Sequence, residues 1–161
     1  MADPGANEPE TVSIARRSAA RALEIDPNDG LIVSTMASID MYQHDVDAAL
    51  ARFSEAETLC PNSSELLVGY ANALSTGGEP RLGLEKFERA IMLDPILPDD
   101  QWWAGASIAF DDHQYHRAIG YCSMMKNEDA ALRVLTACHS LAGNYDKVKA
   151  YGRCLKEIYL D

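Results

Sequence analysis

The sequence lacks the long apolar segments that mark membrane-spanning and exported proteins. No apolar run approaches the length of about 18 residues that a membrane-spanning helix needs. The opening residues, MADPGANEPE, contain neither the basic segment nor the apolar segment of a secretory signal. We therefore expect a cytoplasmic protein in which residues 1–7 form a disordered or tag-like N-terminus.

Positive charge is also scarce. The chain has 14 Lys and Arg residues against 25 Asp and Glu residues, for a formal net charge of −11. Nucleic acids and anionic membrane surfaces carry phosphate charge that repels such a chain. We therefore expect neither nucleic acid nor a membrane as a partner.

Paired cysteines are absent. The four cysteines are Cys60, Cys122, Cys138 and Cys154. No two of them have the two-residue spacing that is typical of zinc and redox sites. We expect cysteines that pack as small apolar side chains in helices, with neither a disulfide framework nor a metal site.

Catalytic motifs are missing as well. The sequence contains no GxSxG, no HExxH and no glycine loop of the kind that binds phosphate. The stretch DDHQYH, 111–116, has metal-capable residues, but it falls at a predicted turn where polar residues are expected anyway. DPNDG, 26–30, differs from a calcium loop in the place of its glycine, and Ala37 stands where the bidentate glutamate belongs. We expect no metal, no cofactor and no enzymatic activity.

One phrase recurs along the chain. FERAIMLDP at 87–95 has nearly the same pattern of residues as FSEAETLCP at 53–61, and SAARALEIDP at 18–27 is a third copy. The three closing prolines, Pro27, Pro61 and Pro95, follow one another at intervals of 34 residues. A proline ends a helix because it lacks the N–H group and clashes with the preceding turn. A fixed period of this length is typical of stacked helix–turn–helix units.

Apolar residues between these prolines recur at steps of three and four, the helical period. The pattern predicts nine helices, at about 8–25, 30–43, 46–59, 63–76, 80–93, 98–111, 114–125, 128–142 and 145–159. The seventh helix is expected to be short, because its end lacks the closing proline.

Individual residues predict how these helices begin and pack. The small residues Ala49, Gly83 and Ala118 let the two helices of a pair approach each other, and Phe53 and Phe87 fill the space between pairs. Asp29, Asn62 and Asp99 are predicted to cap the helices that follow them.

Four stretches carry a resemblance to a known family: PNSSELLVGYANAL, GGEPRLGLEKFERAIMLDP, HQYHRAIGYC and SLAGNYDKVKAY. From about 15 to 155 the chain resembles tetratricopeptide-repeat (TPR) proteins. The resemblance implies an all-α fold in which antiparallel helix hairpins stack as a right-handed superhelical solenoid. It implies one domain over 8–161, with an unpaired helix 8–25 and hairpins 30–61, 62–95, 98–125 and 128–159.

The order of motifs from 78 to 151 is more specific. It resembles the repeat region that follows the catalytic domain of many bacterial adenylate or guanylate cyclases, and similar regions follow DNA-binding domains in some bacterial regulators. The resemblance implies a non-catalytic regulatory repeat region of a signalling protein, so that the chain would be a fragment of a longer one. Two alternatives stay open, a stand-alone adaptor that binds a peptide in its groove and a homodimerisation module.

The first helix of each pair lines the concave side of such an array. The predicted groove residues are Ser34, Ser38, Met41, Tyr42, Glu65, Val68, Asn72, Thr76, Trp103, Ser107, Phe110 and Arg133. Trp103 and Phe110 could instead belong to the core, whereas Trp102 stands where the repeat's usual buried aromatic does. We expect the few charges of the groove to be mostly acidic, and therefore a protein or peptide segment that is basic or apolar as the ligand.

Some TPR proteins grip a peptide's C-terminal carboxylate with lysine, arginine and asparagine side chains. At the matching positions here only Asn72 is of the right kind, so the resemblance does not extend to that clamp. The first and last helices each carry apolar residues, among them Ile14 at one end and Val148, Tyr151, Leu155 and Ile158 at the other. We expect self-association through a terminal helix, most simply as a two-fold homodimer. Cys154 and Tyr159 lie off the second stripe and are expected to be exposed.

Overall fold

The structure is a computed structural model that describes residues 10–159, with the backbone alone at residues 128 and 157–159. The predicted N-terminal segment 1–7 lies outside the described residues. Within them the chain forms nine α-helices, one short 3-10 turn and no strand. The helices are α1 (Glu10–Ile25), α2 (Gly30–Tyr42), α3 (Val46–Leu59), α4 (Ser64–Thr76), α5 (Pro80–Leu93), α6 (Asp99–Asp111), α7 (Tyr115–Cys122), α8 (Leu132–Leu141) and α9 (Tyr145–Tyr159).

The predicted helices are all present, and the seventh is short as expected. The largest difference concerns the eighth, predicted as one helix over 128–142. There the chain first forms the 3-10 turn Glu128–Ala131, and the α-helix begins only at Leu132. Across the described part of the chain, no helix combines the length and the apolar character that crossing a membrane requires.

Four hairpins form the array, in the pairs α2–α3, α4–α5, α6–α7 and α8–α9, and α1 packs on α2. Each hairpin reverses through one residue with a left-handed backbone. These residues are His44 (φ 62°), Gly78 (φ 90°), His113 (φ 60°) and Gly143 (φ 78°). The N–H of the next residue closes each turn by donating to a carbonyl five residues back, that of Asp40, Leu74, Ala109 or His139.

Aromatic side chains fill the joints between hairpins, as predicted. Phe53 of α3 is buried and stacks on Tyr70 of α4, with ring centroids 5.7 Å apart. Phe87 of α5 is buried against Trp102 of α6, at 6.0 Å and in an edge-to-face arrangement. Trp102 is therefore a core residue, as its position in the repeat predicts.

Small residues allow the helices to approach closely, again as predicted. Ala49 and Ala118 are fully buried. A Cβ atom at Gly83 would lie 2.7 Å from the carbonyl oxygen of Ala71, so α5 meets the backbone of α4 there. A Cβ atom at Gly105 would lie 2.0 Å from the ring of Phe87, so this glycine makes room for the aromatic joint.

The predicted helix caps hold in one case out of three. Asp29 caps α2, and its carboxylate accepts the N–H groups of Leu31 and Ile32. The prediction for Asn62 is wrong by one residue, because the hydroxyl of Ser63 accepts the N–H of Leu66 instead. Asp99 does not cap α6: it is the first residue of that helix, and its carboxylate is engaged elsewhere.

The cysteines divide by position. Cys122 and Cys138 are fully buried, and burial raises the pKa of the Cys138 thiol. Cys60 is partly buried, while Cys154 is exposed, as its position off the apolar stripe predicts. No disulfide joins the four cysteines, all of which lie within residues 10–159.

Among the residues that the structure describes, two polar side chains are buried, at equivalent places in the first and last hairpins. Asp40 is 4% exposed, and Arg52 Nε lies 2.6 Å from its Oδ2 while Arg16 of α1 lies 3.4 Å from its Oδ1. Among the described residues Oδ2 makes no well-aligned hydrogen bond, so this atom depends on its ion pair with Arg52.

The second buried polar residue, His139, is 8% exposed. Its ring stacks on Tyr151 of α9 with centroids 5.6 Å apart, and its Nδ1 lies 3.3 Å from Asn144 Nδ2. Burial, followed by the nearby charges of Lys147 and His116, lowers the pKa of His139. The surroundings of the ring therefore disfavour its protonated form.

Candidate protein-binding groove

The twelve predicted groove residues lie on α2, α4, α6 and α8, the first helices of the four hairpins. They differ in exposure. Seven are exposed, namely Ser38, Tyr42, Glu65, Asn72, Thr76, Trp103 and Arg133; four are half-buried, namely Ser34, Met41, Ser107 and Phe110; and Val68 is buried. We call the surface formed by the exposed and half-buried residues of this set, with their neighbours on the same helices, the groove.

The prediction that Val68 lines the groove is wrong. Its side chain is only 7% exposed and belongs to the main apolar core. Val68 packs there among the other buried residues of a core that spans α4, α5 and α6, and it does not face solvent.

Two other predicted residues face the groove only in part. Met41 packs against the cluster formed by Ala37, Ala49, Phe53 and Ala73. Phe110 packs against the main core, and its ring lies 5.7 Å from that of Tyr115. Both side chains therefore contribute more to the packing of the core, and less to the groove surface, than their spacing alone predicts.

The hydroxyl groups in the groove are turned back onto their own helices. Ser34 donates to the carbonyl of Leu31, Ser38 to that of Ser34, Thr76 to that of Asn72 and Ser107 to that of Trp103, at distances of 2.8 to 3.1 Å. Their protons are already used, so these residues can offer a ligand lone pairs but no hydrogen-bond donor without rearrangement. Other side-chain hydrogen-bond donors exposed on this surface include the Asn72 amide, the Tyr42 hydroxyl and the Trp103 indole N–H.

Trp103 and Arg133, predicted separately from their spacing, meet in one pocket. This cavity of about 420 Å³ is lined by Asp99, Asp100, Trp103, Met125, Ala130, Arg133 and Val134, and we call it the Trp103 pocket. Trp103 is 43% exposed, in contrast to its buried neighbour Trp102. Successive residues of a helix point in directions about 100° apart, which separates the two tryptophans into core and surface.

Asp99 forms one wall of the Trp103 pocket. Its Oδ1 accepts the backbone N–H of Lys126 and its Oδ2 that of Asn127, both at 2.9 Å. These hydrogen bonds, aided by the charge of Lys126, hold the pKa of Asp99 below its usual value although burial acts the other way. The carboxylate thus fastens the segment after α7 to the start of α6, which sets the two sides of the pocket at a fixed distance.

The exposed charge of the groove is mostly negative. Glu65 and Asp100 are exposed and take part in no ion pair within the described chain. Asp111 accepts a hydrogen bond of 2.8 Å from Ser75, which links α6 to α4 across the groove. Arg133 places a cation on the α8 side of the pocket.

The stretch 111–116 lies at the turn between α6 and α7, as predicted. There His113 takes the left-handed conformation, and its Nδ1 lies 3.1 Å from the hydroxyl of Tyr115. Over residues 10–159, counting only described side chains, no three His, Cys, Asp or Glu residues converge as metal ligands would.

Stacked antiparallel hairpins, with their first helices on one face and small residues where the helices touch, make this fold an all-α solenoid of the TPR type. Solved structures share it. PilW, a widely conserved type IV pilus biogenesis factor, is 22% identical over 91% of this chain and 69% of its own, with a TM-score of 0.78. YrrB, a TPR protein with an unusual peptide-binding site, is 15% identical over 94% of this chain and 81% of its own, with a TM-score of 0.76.

PilF of Pseudomonas aeruginosa is similar too, at 20% identity over 91% of this chain and 68% of its own, with a TM-score of 0.72. At such identities the likeness establishes the fold. No protein-family model and no curated protein sequence matches the chain.

Proposed function

We propose that this chain is a non-catalytic scaffold that binds a protein segment along its groove and anchors it in the Trp103 pocket. The observation that carries the proposal is an exposed tryptophan beside an apolar pocket on the face lined by the first helices. Large aromatic side chains in such places supply most of the binding energy of many interfaces.

The chemistry of the pocket indicates the kind of segment. Met125, Ala130 and Val134 offer apolar walls, and two carboxylates, Asp99 and Asp100, stand against the single cation Arg133 among the charged lining residues. A cavity of about 420 Å³ is within the usual size range of ligand pockets. A segment with an apolar or basic anchor residue fits these features best. The peptide-binding site of YrrB, a protein of the same fold, is a precedent for this use of the architecture.

The test is a selection from a random peptide library on the immobilised chain, followed by affinity measurements with single variants. We expect enriched peptides to be rich in basic and apolar residues. Trp103→Ala should weaken their binding about 30-fold, the equivalent of about 2 kcal/mol. Trp103→Ala should remain folded, as thermal unfolding can verify, because the side chain is not part of the buried apolar core.

Met92→Ala is the matched control, since Met92 is an exposed apolar side chain on α5, away from the groove. Its peptide affinities should equal those of the wild type. Selection of no peptide, or equal binding by the Trp103→Ala variant, would overturn the proposal.

For the place of this scaffold in the cell, we propose the regulatory repeat region of a bacterial cytoplasmic signalling protein such as a nucleotide cyclase. Support comes from the order of motifs between 78 and 151, and α1 exposes the apolar side chains Ile14 and Ile25 to a further partner. The adjoining coding sequence tests this. A cyclase or DNA-binding domain in the same reading frame supports the proposal, and a stop codon supports the stand-alone adaptor instead.

A further inference from the structure

Helix α9 is a concentration of positive charge in an acidic protein. It carries four of the chain's 14 Lys and Arg residues, which are Lys147, Lys149, Arg153 and Lys156. All four are exposed, and within the described residues none of them takes part in an ion pair. Within the described chain they therefore form a solvent-exposed cationic surface.

The second helices of the earlier hairpins use their cations differently. Four of those cations are ion-paired within the array: Arg52 with Asp40, Lys86 and Arg89 with Glu57, and Arg117 with Glu88. Within this array such charges fasten neighbouring helices to one another. The cations of α9 have no such partner within the described chain, so their arrangement calls for another explanation.

Helix α9 has a glycine, Gly152, where the second helices of the first two hairpins have a phenylalanine. It occupies the position of Phe53 and Phe87, the eighth residue of the second helix of a hairpin. Those two aromatics enter the next hairpin, whereas a Cβ atom at Gly152 would meet nothing within 4 Å. The fourth hairpin therefore lacks the aromatic side chain by which the first two hairpins enter their neighbours.

In its place lies a shallow cationic cavity. Lys149, Gly152, Arg153 and Lys156 line a space of about 550 Å³ on this face. Three cations around a glycine favour a partner that presents carboxylates, and aromatic faces attract the same cations.

The groove of the same protein has those properties. Asp100 and Glu65 are exposed without ion-pair partners in the described chain, and Trp103 exposes its ring beside Asp100. Tyr42 adds a second exposed ring on α2. One copy therefore carries, on different helices, both a cationic face and an acidic aromatic one.

We propose that the cationic face of α9 binds the groove of a second copy, so that the protein associates head to tail. The proposal rests on the proposed function, in that it makes a basic surface the groove's ligand, and it differs from a two-fold dimer. Because the two faces of one copy engage different neighbours, the contact can repeat beyond two copies unless the rotation closes a ring. Salt should weaken it, because exposed charges are screened over about 10 Å at 0.1 M ionic strength.

Sedimentation of the purified chain at about 100 μM, in low and in high salt, is the first measurement. We expect oligomers in low salt that dissociate in high salt. Arg153→Glu and Asp100→Lys should each weaken association at least tenfold, because each places like charges on the two faces. Mixing these two variants should restore association, since every contact between them again joins opposite charges.

Arg81→Glu is the matched control, an equal charge reversal at an exposed residue of α5. It should associate like the wild type. A monomer at low salt, an Arg153→Glu variant that associates normally, or a mixture that fails to re-associate would each overturn the proposal. If the chain stays monomeric while library peptides still bind in a Trp103-dependent way, the head-to-tail contact fails and the proposed function stands.

Discussion

Phe87 in the middle of the array and Asp40 near its N-terminal end both join neighbouring helices, the first by filling space and the second by charge. Phe87 is fully buried against Trp102, Tyr121 and the backbone of Gly105. Asp40 draws α1 and α3 onto α2 through two arginines. The Phe87 joint thus rests on packing that does not depend on pH or salt, while the Asp40 joint depends on ionised groups.

The position of Asp40 recurs in every hairpin, and in the last hairpin it again holds a polar residue, His139. The carbonyl groups that close the four turns belong to Asp40, Leu74, Ala109 and His139, so the polar members are at the two ends. At this position the backbone carbonyl accepts the hydrogen bond that closes the turn, and any residue can supply that carbonyl. The side chain is free to vary, provided that a polar one finds partners, as Asp40 finds Arg52 and His139 finds Tyr151.

Removing the two arginines that pair with Asp40 should have the largest effect on stability. The double variant Arg16→Met/Arg52→Met leaves the Asp40 carboxylate buried without a cation. Removal of the partners of a buried charge typically costs about 3–5 kcal/mol. We expect a loss of that order in the free energy of unfolding, measured by urea denaturation at neutral pH.

Asp40→Leu is the control, since it installs the residue that the second hairpin has at this position. Replacing the buried charge by an apolar side chain should change the unfolding free energy by no more than about 1 kcal/mol, because no orphaned carboxylate remains. A double arginine variant no less stable than Asp40→Leu would show that the ion pairs do not hold this end.

The central joint should break with a smaller but still large effect. In Gly105→Ala the new methyl group would start 2.0 Å from the ring of Phe87, which Trp102 and Tyr121 confine. Overpacking of a core costs about 1–3 kcal/mol, and we expect the upper end of that range. Thermal unfolding measures it against Gly120→Ala, a helical glycine whose Cβ would meet nothing within 4 Å and where alanine should stabilise the helix. Equal midpoints for the two variants would contradict the packing argument.

The contact between His139 of α8 and Tyr151 of α9 should make the stability of the last hairpin depend on pH, with the smallest effect of the three. The pKa of His139 is lowered in the native state, chiefly by burial, so the unfolded chain takes up a proton more readily than the folded one. Its contribution to stability should be complete above about pH 6.5, the ordinary pKa of histidine, and should be lost as the pH falls through the lowered native value. Urea denaturation between pH 7.5 and pH 5 on the wild type and on His139→Leu should give a shallower decline for the variant. An identical decline would assign the acid sensitivity to other groups.

Much of this architecture is predictable from sequence, because the repeat encodes it locally. The prolines, the small residues at the helix contacts and the two phenylalanines recur at fixed positions, and each acts on its nearest neighbours in the array. Trp102 as core and the short α7 follow from the same register. Trp103 and Arg133 could both be assigned to the groove from spacing alone, and they line one pocket.

The failures have a common cause, which is contact between hairpins. Val68 has the spacing of a groove residue, but its side chain packs in the core that α4 forms with α5 and α6. Asp99 has the position of a cap, yet its carboxylate serves backbone groups of Lys126 and Asn127. The Trp103 pocket also depends on Val134 and Asp100, whose roles emerge only when α6 and α8 come together.

The left-handed residue that recurs in every hairpin has a mechanical consequence. Because His44, Gly78, His113 and Gly143 turn the chain in the same sense, each hairpin repeats nearly the same local reversal, even though the spacing between these residues is uneven. A helix of 13 residues is about 20 Å long and acts as a lever, so a change of a few degrees at one turn displaces everything beyond it. The curvature of the array, and with it the width of the groove, is the accumulated sum of such angles, which makes a turn far from Trp103 a means of adjusting what the groove can admit.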